Sequence, residues 1–148
     1  MRRHIVIQSE AFDLNEEVTA LAQGGAAGAV ASFTGHVRDE DGLSALTLEH
    51  YPGMTEAEIG RMVDDAAGRW PLLGVTVIHR VGRLAVGEPI VLVAVAAAHR
   101  GLAFAACEFL MDYLKTQAPF WKEESRNGQT GWVAAKDSDS DAAGRWKK

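Results

Sequence analysis

The stretch Pro89-Ile-Val-Leu-Val-Ala-Val-Ala-Ala-Ala-His99-Arg100 decides how this chain folds. From Pro89 to Ala97 an extended segment is apolar on both faces, the pattern of a strand covered on both sides and central in a sheet. His99-Arg100 ends the run. A helix follows from about Leu102 to Thr116, with Leu102, Ala106, Phe109 and Tyr113 at helical spacing. Pro119 forbids its continuation, because proline removes a backbone donor and clashes with the preceding turn. A buried strand, a helix and a proline corner thus follow one another without a linker.

Working outward, Ile5 to Gln8 reads as a short strand. Asp13 and Glu16 have the spacing of a capping box for a helix over Leu14 to Gln23, closed by Gly24-Gly25. Gly28 to Val37 and Ala45 to Tyr51 read as strands joined across Asp39-Glu-Asp-Gly42. Thr55 and Glu58 suggest a second capping box after Pro52-Gly53. The helix it opens runs to about Arg69, with Ile59, Met62, Val63 and Ala66 on one face. Gly74 to Val81 is a further strand. Phe120 to Glu124 and Thr130 to Ala134 form a hairpin across Asn127-Gly128, a favoured tight-turn pair. From Lys136 the chain is polar and rich in small residues, so a mobile tail is expected. The mixture of hairpins and helices favours an α+β fold over a regular parallel one.

The chain of 148 residues is expected to form a single domain, 1–148. Its hydrophobic content of 47% and charged content of 24% are ordinary for a soluble protein. A net charge of −5 argues against a broad nucleic-acid face but leaves room for a local cationic pocket. The longest apolar run, Pro89 to Ala98, is about half of a membrane span, and Ile5-Val-Ile7 is too short for a signal-peptide core. No membrane association is expected, and cytoplasm is the expected compartment. The single cysteine, Cys107, excludes an internal disulfide. It falls on the helix with Ala103, Leu110 and Leu114, which favours a buried, inert thiol. His4, His36, His50, His79 and His99 are dispersed without metal-ligand spacing, so neither a metal nor another cofactor is expected.

Cations are concentrated where the chemistry is expected. All five lysines fall at or after Lys115, and two of them flank the corner in Tyr113-Leu-Lys-Thr-Gln-Ala-Pro-Phe-Trp-Lys-Glu124. Lys115 sits in the last turn of its helix, where a cation also complements the helix dipole. Lys122 lies beyond Pro119-Phe120-Trp121, and the corner brings both amines toward one aromatic-walled cavity. Desolvation and neighbouring cations tune an amine for acid/base work. His99-Arg100 stands at a strand–helix junction whose free N–H groups favour anions, or else merely caps the strand. Arg38 ends its strand as another anion ligand, or as an exposed partner of Asp39 and Asp41.

Several blocks, in order, resemble the large, catalytic subunit family of molybdopterin synthase. They are Phe33-Thr-Gly-His-Val-Arg38, Leu48-Glu-His-Tyr-Pro-Gly-Met54, Val77-Ile-His-Arg-Val-Gly82, Ala98-His-Arg100 and Met111-Asp-Tyr-Leu-Lys-Thr-Gln-Ala-Pro-Phe-Trp-Lys122. The likeness runs from about Gly28 to Lys136. It implies an α/β-hammerhead-like fold with an additional antiparallel β subdomain. It also implies a homodimer within a heterotetramer that carries two small ubiquitin-like sulfur-carrier subunits. Such enzymes move sulfur from the carrier's thiocarboxylated Gly-Gly C-terminus to cyclic pyranopterin monophosphate, forming the dithiolene of molybdopterin.

By motif, the resemblance makes Lys115 the essential lysine and Lys122 the second active-site lysine. His99 and Arg100 become the substrate-binding pair, His36, Val37 and Arg38 the end of the first motif, and Glu123 and Glu124 part of the binding segment. Lys136 corresponds to a basic residue that reaches the partner protomer's site. His36 stands where lysine is common, and Lys136 where arginine is frequent. This chain ends in Trp146-Lys-Lys148 rather than Gly-Gly, so a separate small subunit is expected as the carrier. One geometric question stays open. A straight helix of about fifteen residues separates its ends by roughly 20 Å, so His99-Arg100 and Lys115 need a bend, an extended substrate or two protomers.

Overall fold

The computed structural model describes residues 1–133 and 143–146. The elements run β1 (Arg2–Gln8), α1 (Leu14–Ala22), β2 (Ala29–His36), β3 (Leu43–His50), α2 (Met54–Arg69), β4 (Leu72–Arg80), β5 (Gly82–Ala85), β6 (Pro89–Ala97), α3 (Arg100–Gln117), β7 (Phe120–Arg126) and β8 (Gln129–Val133). They form two four-stranded sheets, ordered β1-β4-β6-β2 and β5-β3-β7-β8. The first is mixed, with β1 parallel to β4 and the other pairs antiparallel. The second is antiparallel throughout. The fold is α+β, with an antiparallel sheet added to a helix-covered one.

β6 is interior and buried on both faces, as its unbroken apolar run requires. The period of two divides its residues. Val91, Val93, Val95 and Ala97 join Val75 and Val77 of β4 in a core closed by Ile59, Met62, Val63 and Ala66 of α2 and by the apolar face of α3. Leu92, Ala94 and Ala96 join Ile78 on the other face, under Leu21 of α1. Val37, Leu43, Leu46, Leu48 and Leu84 make a smaller core for the second sheet.

Thr76 is buried on the α1 side, and its Oγ1 has no hydrogen-bond partner. Replacing it with valine keeps the shape and removes a desolvated hydroxyl. Thr76→Val is therefore expected to leave stability unchanged or raise it by up to ~1 kcal/mol, read as a higher melting temperature.

Local signals explain most element boundaries. Asp13 caps α1 by accepting from the Glu16 N–H at 3.1 Å. Asn127 (φ 50°) and Gly128 (φ 79°) take the left-handed backbone that a two-residue hairpin turn demands. The start of α2 differs from the expected Thr55–Glu58 box. The helix begins at Met54, and the Gly53 N–H donates to Glu56 Oε1 at 3.0 Å. Thr55 serves elsewhere, as shown below, and Glu58 pairs with Arg61. The four-residue β5 has no counterpart in the expected strands.

Of the polar C-terminal segment, residues 143–146 are described. Trp146 packs edge-on against Trp70 and Phe109, and its indole N–H donates to Asp112 Oδ2 at 2.6 Å. Lys136 and the expected strand end at Ala134 lie outside the described residues. Cys107 is buried on α3, and burial, reinforced by Glu108, pushes its thiol up to about 11. That leaves an inert thiol at neutral pH. No described helix is long and apolar enough to cross a membrane.

Candidate active site

The site is built where three elements end against the corner after α3. Thr55 Oγ1 donates to the Pro119 carbonyl at 3.0 Å and accepts from the Tyr51 N–H at 3.0 Å. Thr55 is fully buried, so its hydroxyl ties the end of β3, the start of α2 and the corner together. Trp121 meets Tyr51 edge-on at 4.2 Å between ring centroids. Phe120 stacks on His79, with centroids 3.8 Å apart and planes 18° from parallel.

This corner fixes where the two lysines project. β7 pairs with β3 so that Phe120 faces His50 and Lys122 faces Leu48. Residues two apart on a strand share a face, and so do directly opposed residues. Lys122, Phe120, His50 and Leu48 therefore lie on one face, with His79 against Phe120. Lys115 enters from the exposed side of the last turn of α3, next to the buried Leu114. Both lysines act electrostatically on His79, as does His50. Lys115 and Lys122 thus stand on either side of the Pro119 corner, Lys115 in the last turn of α3 and Lys122 on β7. The sequence argument gives His79 and His50 no site role, because neither has metal-ligand spacing nor stands at a strand–helix junction. The usable signal was register: His79 continues the face of Val75 and Val77, which points to α3.

His79 is buried and donates from Nδ1 to the Arg80 carbonyl at 2.8 Å. A carbonyl only accepts, so Nδ1 carries the proton and Nε2 is bare. Burial lowers the imidazole from its ordinary 6.5 to about 4, against the raising effect of that hydrogen bond and with help from Lys115, Lys122 and His50. A depressed folded-state value means that the unfolded chain binds a proton the folded ring refuses. Stability from this ring is thus complete above about pH 6.5 and is lost as pH falls toward 4, by on the order of 3 kcal/mol. Urea titrations at pH 7 and pH 4.5 should show a smaller acid loss in His79→Phe than in the parent; equal losses would refute this.

The remaining expected site residues divide into separate places. α3 is one uninterrupted helix of 18 residues, so Arg100 and Lys115 are about 22 Å apart along its axis. His99 is its N-cap residue, and both His99 and Arg100 are exposed at the far end. His36 pairs with Pro89 at the start of β6, nine residues of strand from the His99 end. Its Nε2 lies 3.2 Å from Thr34 Oγ1. Val37 is buried and exchanges main-chain hydrogen bonds with Glu88 and Gly87, a framing role rather than a ligand's.

Arg38 projects into solvent and pairs with Glu40. Glu124 takes two hydrogen bonds from Arg126, at 2.8 and 2.5 Å, and is held as a structural ion pair. Glu123 pairs with Thr47 and Trp132 on the face of β7 opposite Lys122. Within one chain, the lysines flank the Pro119 corner, and His99-Arg100 stand at the opposite end of α3. No group of His, Cys, Asp and Glu among the described residues could hold a metal ion.

The MoaE protein family matches residues 7–117, from β1 to the end of α3. A molybdopterin synthase catalytic subunit of Mesorhizobium japonicum is 60% identical over 145 residues, covering 95% of this chain and 91% of the relative. The solved structure of the molybdopterin biosynthesis MoaE protein from Burkholderia ambifaria superposes with a TM-score of 0.85 at 50% identity, over 99% of this chain and 98% of that one. A protein–protein complex of subunits 1 and 2 of molybdopterin-converting factor from Helicobacter pylori shares the fold at a TM-score of 0.74 and 22% identity, over 88% and 89% of the two chains. This chain belongs to the MoaE family of molybdopterin synthase catalytic subunits.

Proposed function

We propose that this chain is the catalytic subunit of a molybdopterin synthase. It takes sulfur from the thiocarboxylated Gly-Gly C-terminus of a small ubiquitin-like carrier and places it on cyclic pyranopterin monophosphate. The observation that supports this reading is that Lys122 lies on the braced Phe120 face of β7 while Lys115 stands in the last turn of α3, which leads into the same corner. A thiocarboxylate and a phosphorylated pterin are both anions, and a pair of amines neutralises them while moving protons. Lys115 acts as acid and base, and as the amine nearest the carrier's acyl group. Lys122 stabilises anionic intermediates. Arg38, His99 and Arg100 bind and orient the substrate.

The span of about 22 Å between Arg100 and Lys115 favours a site shared by two protomers, since one pterin cannot bridge it. His99-Arg100 of one copy would then serve the lysines of the other, in a homodimer carrying one small subunit at each end. The Helicobacter pylori structure, a complex of two different subunits, supports a second, different subunit as partner. The test is to combine the protein with a thiocarboxylated Gly-Gly-tailed partner and the pterin precursor, and to follow native mass and dithiolene formation. A heterotetramer that forms product supports the reading. Binding of the pterin without sulfur transfer from any carrier would leave a non-catalytic pterin-binding module instead.

A further inference from the structure

The most heavily constrained ionisable side chain near the lysines is His79, which the sulfur-transfer scheme above leaves without a task. We propose that His79 is a positioning residue of the lysine site, an imidazole with Nδ1 protonated and Nε2 bare that seats the Phe120 corner from whose face Lys122 projects. The inference rests on the lysine-site reading above and adds to it a third group.

Three observations carry it. The ring is fixed in rotation by two independent contacts, the 2.8 Å hydrogen bond to the Arg80 carbonyl and the 3.8 Å stack on Phe120. Phe120 and Lys122 share one face of β7, so tilting Phe120 moves the base of Lys122. The titratable groups whose charge bears on the ring come from three elements: Lys115 from α3, Lys122 from β7 and His50 from β3. Arg80 on its own strand offers only its carbonyl, because its guanidinium turns to Ser9, Pro89 and Glu88 on the other face.

A phenylalanine would fill the same slot and stack as well without desolvating two ring nitrogens. Histidine differs in one useful way, since an ammonium only donates whereas a bare Nε2 only accepts. The ring therefore supplies an acceptor in a cluster of cations, and its burial keeps it from adding a further positive charge there at neutral pH.

The experiment uses the full chain in two arms. In the first, the His79 ring is titrated by NMR in the parent, Lys115→Met and Lys122→Met. Electrostatic coupling is reciprocal, so its midpoint should rise when either ammonium is removed. A midpoint unmoved in both variants overturns the proposal. In the second, sulfur transfer by the reconstituted complex is followed against pH for His79→Phe, which keeps the stack, and His79→Asn, which keeps a donor toward the Arg80 carbonyl. The expected result is a turnover lowered by about 10- to 100-fold in both, with the KM for the pterin within about twofold and the acid limb displaced. Full turnover with an unaltered pH profile in His79→Phe shows the ring to be filler and overturns the proposal. An inactive parent with the NMR coupling intact overturns the sulfur-transfer reading alone. The first arm also decides the matter if a His79 variant fails to fold.

Discussion

Lys115→Ala is expected to lower sulfur transfer by about 10²- to 10⁴-fold while the chain folds and assembles as before. That range is what a positioned acid/base group contributes to a rate. The structural cost of the change is small because Lys115 is exposed in the last turn of α3. What is lost there is a favourable interaction with the helix dipole, ~0.3–1 kcal/mol. Lys115→Arg separates two roles. It keeps the cation and that dipole interaction, but a guanidinium does not release its proton near neutral pH. If the amine moves protons or meets the carrier's acyl group, the arginine variant stays as inactive as the alanine one. Recovery to within about threefold of the parent would reduce Lys115 to an electrostatic ligand. The measurement is single-turnover dithiolene formation from preloaded thiocarboxylated carrier, with native mass confirming the same assembly in all three proteins.

The chemistry of that corner was legible in the sequence to the extent that it depended on local chain rules. Pro119 had to end α3, and Asn127-Gly128 had to return β7 into β8, so Lys115 and Lys122 were bound to flank one turn. β6 was readable from its two-faced apolar run, and α1 from the Asp13 cap. The failures came where long-range contacts decide. At α2, Gly53 has no side chain with which to announce a cap, and Thr55 spends its hydroxyl on Pro119, 64 residues away. At β5, four residues are too few for a periodic signal, and the strand exists because β3 offers it an edge. Trp146 reads as part of a polar tail until Trp70, Phe109 and Asp112 are brought beneath it. The site residues divide in the same way. Motif order named His99-Arg100 and Lys115 together, and only the unbroken length of α3 shows that one chain keeps them apart.

Phe109→Ala is expected to be the most damaging core truncation, at about 3–5 kcal/mol. Phe109 is fully buried at the middle of α3 and is the hub of an aromatic cluster. Its ring lies 5.5 Å from that of Trp70, 5.6 Å from Trp146 and 4.8 Å from Tyr113, and the Arg69 guanidinium sits 4.7 Å from its centroid. Removing it empties a space walled by large flat rings that cannot collapse inward without breaking the Trp146–Asp112 hydrogen bond. Against a total stability of ~5–15 kcal/mol, that loss is a large fraction. For a chain of this size it corresponds to a melting temperature lower by roughly 6–20 °C. A fall of less than about 3 °C would mean that the cluster rearranges and that Trp146 is not held through Phe109. The contrast with Lys115 is the sharper test. Phe109 lies about 9 Å of helix from Lys115 and about 14 Å from Arg100, so below its own transition Phe109→Ala should keep most of the parent's turnover. Lys115→Ala should melt with the parent and turn over almost nothing. If both variants lost stability and activity together, α3 would not be the rigid beam that holds the lysine end and the His99-Arg100 end in fixed relation.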